Sequence, residues 1–274
     1  MRRRTCFEFM DQSWCPPTLR TAILEMLALV LRWTQPFSPL APRIAEVLRR
    51  APACGVLDLC SGAGGVWREL GSELSTRGHA PLCVTLSDAR PQVSWQAPST
   101  RFLLHYRADP VDARRVPPSE HGTWTLFNGI HHFSREEVGQ ILSQATRRGV
   151  CLVIGDLTRR SLMDFLWMLL FGPLAILVLA PFVRPLRRWS LFWTYLVPVG
   201  PWVTAFDGAI SQLRAHTHHE LHALARGCEV QPYEWCSGQY RRLGLLPVTY
   251  LIGWPRNARR PEDMPHSGFR TLCP

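Results

Sequence analysis

The chain has 274 residues, a formal net charge of +10, and 46% hydrophobic against 19% charged residues. This length can bury one large hydrophobic core, so a single α/β domain with additions is expected. All 31 basic residues are arginine, which excludes enzymes that need a phosphate-binding or Schiff-base lysine.

The cysteines and the start of the chain indicate the cellular compartment. Nine cysteines are present without a Cys-x-x-Cys pair, a pattern typical of reduced thiols. The basic start, Met-Arg-Arg-Arg, is not followed by the apolar region of a secretory signal. We therefore expect a cytoplasmic protein.

Apolar spacing predicts the secondary structure in chain order. Two helices are expected within residues 18–50, strands at 55–59, 82–86, 102–106, 124–128 and 150–154, and helices at 66–77 and 135–147. Ser134 is a suitable N-cap for the helix at 135–147. The spacing of Thr217 and Glu220 predicts a capping box that opens a further helix, and the last strands are expected at 230–235 and 248–253.

The alternation of strands and helices predicts the fold class and the organisation of the chain. Nearly continuous apolar strands between helices favour a mainly parallel sheet with helices on both faces. We expect an N-terminal helical cap over residues 1–50 and one domain over 51–254. An apolar helical insert is predicted at 160–206, after strand five, and a loose tail at 255–274.

Polar residues follow the predicted strands at the points where they end. Asp58 ends the first strand and leads into a glycine-rich turn, Asp88 follows the second strand, and Asn128 ends the fourth. Ligands of parallel sheets bind beyond the carboxyl ends of the strands. These residues are therefore expected to converge on one binding edge.

The motifs in this order resemble those of class I S-adenosylmethionine-dependent methyltransferases. They are Val-Leu-Asp58-Leu-Cys-Ser-Gly62-Ala-Gly64-Gly65, Thr-Leu-Ser-Asp88, Val-Asp112-Ala and Leu-Phe-Asn128-Gly-Ile-His131-His132. The resemblance covers roughly residues 55–254. It implies a Rossmann-like, seven-stranded sheet whose final strand pair is antiparallel.

The resemblance also implies S-adenosylmethionine as cofactor and a role for each matching residue. The loop formed by Asp58, Cys60, Gly62, Gly64 and Gly65 would surround the methionine part, with Cys60 standing where the family usually has glycine. Asp88 would hold the ribose hydroxyls, because a carboxylate can accept two hydrogen bonds from a vicinal diol. Asp112, with Asp109 as the alternative, would receive the adenine amino group, and Asn128 would lie beside the methionine.

Histidines are the candidate catalytic groups. Methyl transfer needs a base only when the acceptor must lose a proton, and His131 or His132, at the ligand edge, could take it from a phenol or an amine. Another histidine group, at 216, 218, 219 and 222, lacks the His-Glu-x-x-His spacing and a clear third ligand. No metal site is therefore expected.

The insert contains two uncharged runs, 165–183 and 189–206, around Arg184, Arg187 and Arg188. The chain must return to the sheet, which excludes a single membrane span. A two-span hairpin would place the arginines on the side of the membrane opposite to the cytoplasm, against the usual bias of positive charge. Its helices would also be interrupted by prolines, including Pro173. We favour a helical hairpin that caps the site and lies in the membrane interface; a soluble cap or a true hairpin span are the alternatives.

These observations predict a methyltransferase for a hydrophobic small-molecule or lipid-like acceptor, with membrane-surface contact through residues 162–206. One alternative is a noncatalytic protein of the same fold that binds a membrane or a partner. Another is an RNA methyltransferase, but the chain lacks the lysines and the Pro-Cys motif of the RNA-modifying branches. Nucleic acid is therefore not an expected partner.

Overall fold

The structure, a computed structural model, describes residues 3–4, 6–51, 55–77, 82–91, 102–120 and 122–256. Its strands are β1 (Val56–Leu59), β2 (Cys83–Leu86), β3 (Leu103–Tyr106), β4 (Thr123–Phe127), β5 (Leu152–Asp156), β6 (Tyr233–Arg242) and β7 (Leu246–Pro255). Its α-helices are α1 (Pro17–Thr34), α2 (Ala41–Arg50), α3 (Trp67–Thr76), α4 (Arg135–Arg148), α5 (Leu162–Leu179), α6 (Arg188–Leu191), α7 (Val199–Arg214) and α8 (His218–Gly227). The tail predicted at 255–274 falls outside the described residues from 257 onward.

The strands form one sheet in the order β3-β2-β1-β4-β5-β7-β6. Strands β1 to β5 are parallel, β7 is antiparallel to β5, and β6 is antiparallel to β7. The predicted mainly parallel sheet with a final antiparallel pair is confirmed. From β1 the chain continues to β2 and β3 on one side of the sheet, and from β4 it continues to β5 on the other side. The boundary between β1 and β4 is therefore the switch point, where such sheets bind ligands.

Helices cover both faces of the sheet. On one face, Ile44 and Val47 of α2 are buried in the same core as Trp67 of α3. On the other face, Ile141 of α4 and Leu221 of α8 pack into a second core. Helix α2 thus belongs to the main core of the domain.

The capping signals at α4 and α8 are confirmed. Ser134 accepts a hydrogen bond from the backbone N–H of Glu137, and the Glu137 side chain accepts one from the Ser134 N–H. Thr217 and Glu220 form the same reciprocal pair at the start of α8. In both cases local chemistry determines where the helix begins.

Strands β5 and β6 end later than predicted. Strand β5 starts and ends two residues further along, so that it includes Asp156. Strand β6 pairs with β7 as far as Arg242, beyond the predicted end at residue 235. As an edge strand β6 has one neighbour, so its later residues are mostly half-buried or exposed and lack the apolar pattern that marks a central strand.

The insert after β5 is helical, as predicted, and places α5 against α7. Gly172 lies beside Ala205, and Gly208 beside Met168, so that the two helices approach closely. The expectation that Pro173 would interrupt a helix is wrong, because it lies inside α5. A proline removes one helix hydrogen bond. Packing of Gly172 on α7 before Pro173, and of Ile176 on α1 after it, keeps α5 continuous.

Two helical glycines provide a matched test of packing. A methyl group added at Gly71 would lie 2.6 Å from the buried ring of Phe102. A methyl group added at Gly227 would have no atom within 4 Å apart from its chain neighbours and its own helix backbone. Gly71→Ala is expected to lower the free energy of unfolding by about 1–2 kcal/mol, because overpacking outweighs the helix propensity that alanine gains. In urea unfolding, Gly227→Ala should leave this free energy equal or higher; equal losses for both variants would contradict the packing described.

Candidate functional site

The loop after β1 is built largely in the left-handed backbone conformation. Cys60, Gly62 and Gly64 have φ values of 57°, 53° and 70°. Residues with a side chain rarely adopt this conformation, at a cost of roughly 1 kcal/mol. Cys60 therefore occupies a position that favours glycine, which accounts for the glycine that the resembled family has there.

Asp58 holds this loop against the sheet. Its carboxylate accepts hydrogen bonds of 2.6 Å from the hydroxyls of Ser61 in the loop and Thr125 on β4. Its side chain is buried, and burial raises the pKa of Asp58 to about 6. The position of Asp58 thus determines the shape of the loop.

Asp88 joins the end of β2 to the same loop. One carboxylate oxygen accepts from the N–H of Gly62 at 2.9 Å and the other from the N–H of Arg90 at 2.9 Å. The Tyr106 hydroxyl, at the end of β3, donates to the Gly62 carbonyl at 2.9 Å. Asp88 is half-buried, and each of its oxygens keeps further lone-pair capacity for a ligand.

The predicted cofactor residues meet around Cys60. Burial raises the pKa of its thiol well above the ordinary value, and the charges of Asp88, Asp58 and Asp112 raise it further. A Cβ at Gly129, after β4, would lie 3.0 Å from the Cys60 Cβ. The ends of β1, β2 and β4 therefore converge here, with Asp112 near enough to act on the same thiol.

The two candidates for the adenine contact differ in their surroundings. Asp112 caps the short 3-10 helix Ala113–Arg115 and forms an ion pair with Arg114 at 2.8 Å. The hydrogen bonds from Arg114 lower the pKa of Asp112. Asp109 is exposed. Asp112 is thus the one held at the site, and its contact with adenine stays a prediction.

Asn128 and Gly65 have structural roles at this edge of the sheet. Asn128, with φ of 56°, donates its backbone N–H to Gly155 at 2.7 Å, which ties the ends of β4 and β5 together. A Cβ at Gly65 would lie 2.5 Å from the Ala28 Cα. Gly65 must therefore be small because α1 passes beside it, a reason that does not involve a ligand.

His131 forms a buried pair with an aspartate that the sequence did not reveal. Its Nδ1 lies 2.8 Å from one carboxylate oxygen of Asp156, and the other oxygen accepts from the Thr158 hydroxyl at 2.7 Å. Both members of the pair are buried. The predicted β5 stopped short of Asp156; the rule that identified Asp58 and Asp88, a carboxylate ending a strand, would have found it.

His132 is surrounded by charges from distant parts of the chain. Its Nδ1 lies 3.2 Å from a carboxylate oxygen of Glu8 and 3.2 Å from one of Asp11. Arg214 of α7 contacts both acids, at 3.5 and 2.9 Å. Burial lowers the pKa of His132, but the hydrogen bond that its ring donates to Asp11 and the charge of Glu8 outweigh this effect, so that the net pKa is raised.

The N-terminal segment, residues 8–12, lies across this edge of the sheet. Asp207 of α7 accepts from the N–H groups of Phe9 and Met10 at 2.8 and 2.9 Å. Arg90, after β2, donates to the carbonyls of Met10 and Asp11 at 3.2 and 3.0 Å. The segment is thus anchored from the β2 end to α7, the helix that begins in the insert and continues past it to the site.

Glu8, His131 and His132 form a group with metal-ligand spacing in the described part of the chain, with ligating atoms within 4.8 Å of one another. The guanidinium of Arg214 is already placed against Glu8. It supplies positive charge where a metal ion would otherwise be needed. The donors in this group therefore have protein partners, and we assign no metal here.

No protein-family model and no curated protein sequence matches the chain. Among solved structures, human N-acetylserotonin methyltransferase in complex with SAM is 12% identical, with 87% of this chain and 55% of that chain covered and a TM-score of 0.48. The plantazolicin methyltransferase in complex with SAH is 11% identical, with 90% and 94% covered and a TM-score of 0.49. An O-methyltransferase from neocarzinostatin biosynthesis is also 11% identical, with 87% and 58% covered and a TM-score of 0.46. The chain spans about half the length of most of these structures, and the likeness extends to nothing beyond the general fold.

The sheet order and strand directions define the fold class by themselves. The five parallel strands lie in the order β3-β2-β1-β4-β5, and the antiparallel hairpin continues the sheet as β7-β6. With the glycine loop at the switch point, this arrangement is the class I S-adenosylmethionine-dependent methyltransferase fold. The predicted fold class is confirmed on this ground.

The charged surroundings of His132 predict a pH-dependent contribution to stability. A histidine whose pKa is raised by folding stabilises the protein fully below its ordinary pKa of about 6.5, and this contribution is lost as pH rises through the raised value. The stability advantage of the wild type over His132→Gln should therefore be larger at pH 6 than at pH 9 in thermal unfolding. His219→Gln, at an exposed histidine, is the control and should show no such trend. A constant advantage across this range would contradict the charge arrangement around Glu8, Asp11 and Arg214.

Proposed function

We propose that this protein is an S-adenosylmethionine-dependent methyltransferase acting on a lipophilic small-molecule or lipid-like acceptor at the cytoplasmic surface of a membrane. The observation that carries the proposal is the left-handed loop at Cys60–Gly64, bonded through Gly62 to Asp88 at the sheet's switch point. Such a loop brings backbone close to a ligand, while a half-buried carboxylate stands beside it.

The residues present fit the cofactor. Asp88 would accept hydrogen bonds from the ribose hydroxyls with its remaining lone pairs. The turn at Cys60, Gly62 and Gly64 would surround the methionine part, and Asn128 would lie beside it. Asp112 would accept from the adenine amino group. Asp58 would not contact the cofactor itself but would position the loop that does.

When bound, S-adenosylmethionine supplies an activated methyl group, which the acceptor takes from the sulfonium as the carbon–sulfur bond electrons remain on sulfur. The protein's part is to orient the acceptor, exclude water and receive a proton. Nδ1 of His131 lies 2.8 Å from a carboxylate oxygen of Asp156. Because a carboxylate accepts, Nδ1 would donate there, and Nε2 would be the nitrogen open to a proton. His131 is thus suited to take the acceptor proton at Nε2, whereas the carboxylates around His132 favour its protonated form.

Apolar side chains beside the N-terminal segment support a lipophilic acceptor. Leu19 and Ile23 of α1 and Val203 of α7 form a buried cluster with Cys15, against which Phe9 packs. Phe9 belongs to the same segment as the carboxylates that contact His132. The segment thus contacts apolar side chains as well as His132, which supports a lipophilic acceptor beside it.

The cytoplasmic location rests on thiol chemistry. Among the cysteines that the structure describes, those at positions 6, 15, 60, 151, 228 and 236 form no disulfide. Free thiols are typical of reducing compartments. This supports the cytoplasmic face as the side on which the proposed reaction takes place.

Cofactor binding is tested with S-adenosylhomocysteine by calorimetry. Wild type should bind, and Asp88→Asn should weaken binding about 10- to 100-fold, because hydrogen bonds to a charged group are lost. Glu136→Gln, at an exposed position outside the predicted site, is the control and should bind normally. Comparison of Asp112→Asn with Asp109→Asn shows which acid faces the adenine. Absence of binding to the wild type would leave only the noncatalytic alternative.

The role of His131 is tested with labelled S-adenosylmethionine and a lipophilic extract of the source cell. His131→Gln should reduce label transfer about 10²- to 10⁴-fold, the range for a lost general base, with unchanged binding of S-adenosylhomocysteine. His216→Gln removes another buried histidine, one that contacts only the Phe133 carbonyl among its described hydrogen bonds, and should retain transfer. Equal losses in the two variants would show that the effect is structural.

A further inference from the structure

Most exposed large apolar side chains of the described residues lie on the insert. Soluble proteins rarely expose contiguous apolar patches of more than a few hundred Å². The exposed side chains on this segment, which we call the apolar surface, are Leu162, Met163, Leu166, Trp167, Leu169, Leu170, Phe171, Leu174, Leu177, Val178, Phe182, Leu186, Trp189, Tyr195, Leu196, Val197, Val199 and Trp202. A surface of this composition needs an apolar environment to cover it.

Helix α5 carries most of the apolar surface and is bound to the protein along one side. Its buried residues are Gly172 and Ile176; the first approaches Ala205 of α7 and the second packs with Met26 and Leu29 of α1. Residues Leu162–Phe182 are long and apolar enough to cross a membrane, and few of them are buried in the protein. Attachment to α1 and α7 favours a helix that lies beside the domain over one that crosses the bilayer.

A cationic and aromatic edge borders the apolar surface. Arg184 and Arg188 are exposed, and Arg187 pairs with Glu25. A groove of about 880 Å³ lies beside them, lined by Arg187, Arg188, Trp189, Leu191, Phe192, Tyr195 and Leu196. Tryptophan and tyrosine are enriched where hydrocarbon meets head groups, and arginine is attracted to anionic lipid.

Charge distinguishes the two partners that could cover this surface, a second copy of the chain and a lipid bilayer. The chain has no aspartate or glutamate from residue 165 to 206. A second copy meeting the first through the same surface would bring arginines toward arginines without a carboxylate from this segment. Lipid phosphates supply the missing negative charge, and acyl chains match the leucine and tryptophan side chains.

We infer that the apolar surface inserts into one leaflet of an anionic bilayer, with the lipid head groups at Arg184, Arg187 and Arg188. The inference extends the proposed function by naming the surface at which a lipophilic acceptor is met. Helix α7 connects the two sites, because it packs on α5 and carries Asp207 and Arg214 toward the N-terminal segment. Lipid binding itself needs no cofactor, so it can fail independently of methyl transfer.

Flotation of the full chain with phosphatidylcholine vesicles, with and without phosphatidylglycerol, tests the inference. Wild type should float with the anionic vesicles, and Leu170→Glu/Leu174→Glu should lose at least tenfold in vesicle affinity. The matched control is Val230→Glu/Leu245→Glu, whose residues are as exposed, at 60% and 59% against 71% and 58%, but lie outside the insert. Arg184→Gln/Arg188→Gln should lose about fivefold per arginine on anionic vesicles, whereas Arg77→Gln/Arg226→Gln, with the same change in net charge, should not.

Binding of S-adenosylhomocysteine is measured on each variant and should remain unchanged. Failure of wild type to float would overturn the inference, as would equal losses in the leucine variant and its control. A concentration-dependent dimer that Leu170→Glu/Leu174→Glu dissociates, without vesicle binding, would assign the surface to a second copy instead. Normal flotation without binding of S-adenosylhomocysteine would support the membrane surface and reject the proposed reaction.

Discussion

Asp58 ends β1 with its carboxylate buried between Ser61 of the glycine loop and Thr125 of β4, so that three segments meet on one side chain. Its backbone carbonyl also accepts from the N–H of Ser87, at the end of β2. A buried carboxylate without partners would be strongly unfavourable, and these hydroxyl donors therefore make the loop's position part of the sheet's stability. The left-handed turn that follows, and the bond from Gly62 to Asp88, depend on this anchor. A candidate ligand would thus meet a loop whose shape is set before binding.

Arginine organises the other half of the site. Arg214 is almost fully buried and contacts Glu8, Asp11 and the carbonyls of His131 and His132. A guanidinium has five donors in a planar arrangement and can serve several acceptors at once, which a lysine ammonium does less well. In a chain without lysine, arginine closes the N-terminal segment over the sheet edge as well as contributing surface charge. The acidic residues around His132 are acceptable there because this buried cation accompanies them.

The elements that sequence patterns could predict are those governed by neighbours in the chain. Apolar runs located the parallel strands, and the Ser134–Glu137 and Thr217–Glu220 spacings located two helix starts. The polar half of β6 was missed because an edge strand is specified by pairing with β7. Asp156 was missed because β5 was ended too early. Glu8 and Asp11 were missed because their partner His132 lies 121 residues from Asp11, and no local pattern encodes that contact.

The sequence by itself determined the fold class, the glycine loop, and the residues brought to the carboxyl edge of the sheet, because apolar periodicity and strand-end chemistry are local properties. Only the tertiary structure decided what those residues do there. It buried Asp58 as an anchor, paired His131 with Asp156, and used Gly65 for the passage of α1. It also left α5 exposed while its partner α7 reaches the site. Burial and long-range pairing depend on how the elements pack, and packing is a property of the whole chain.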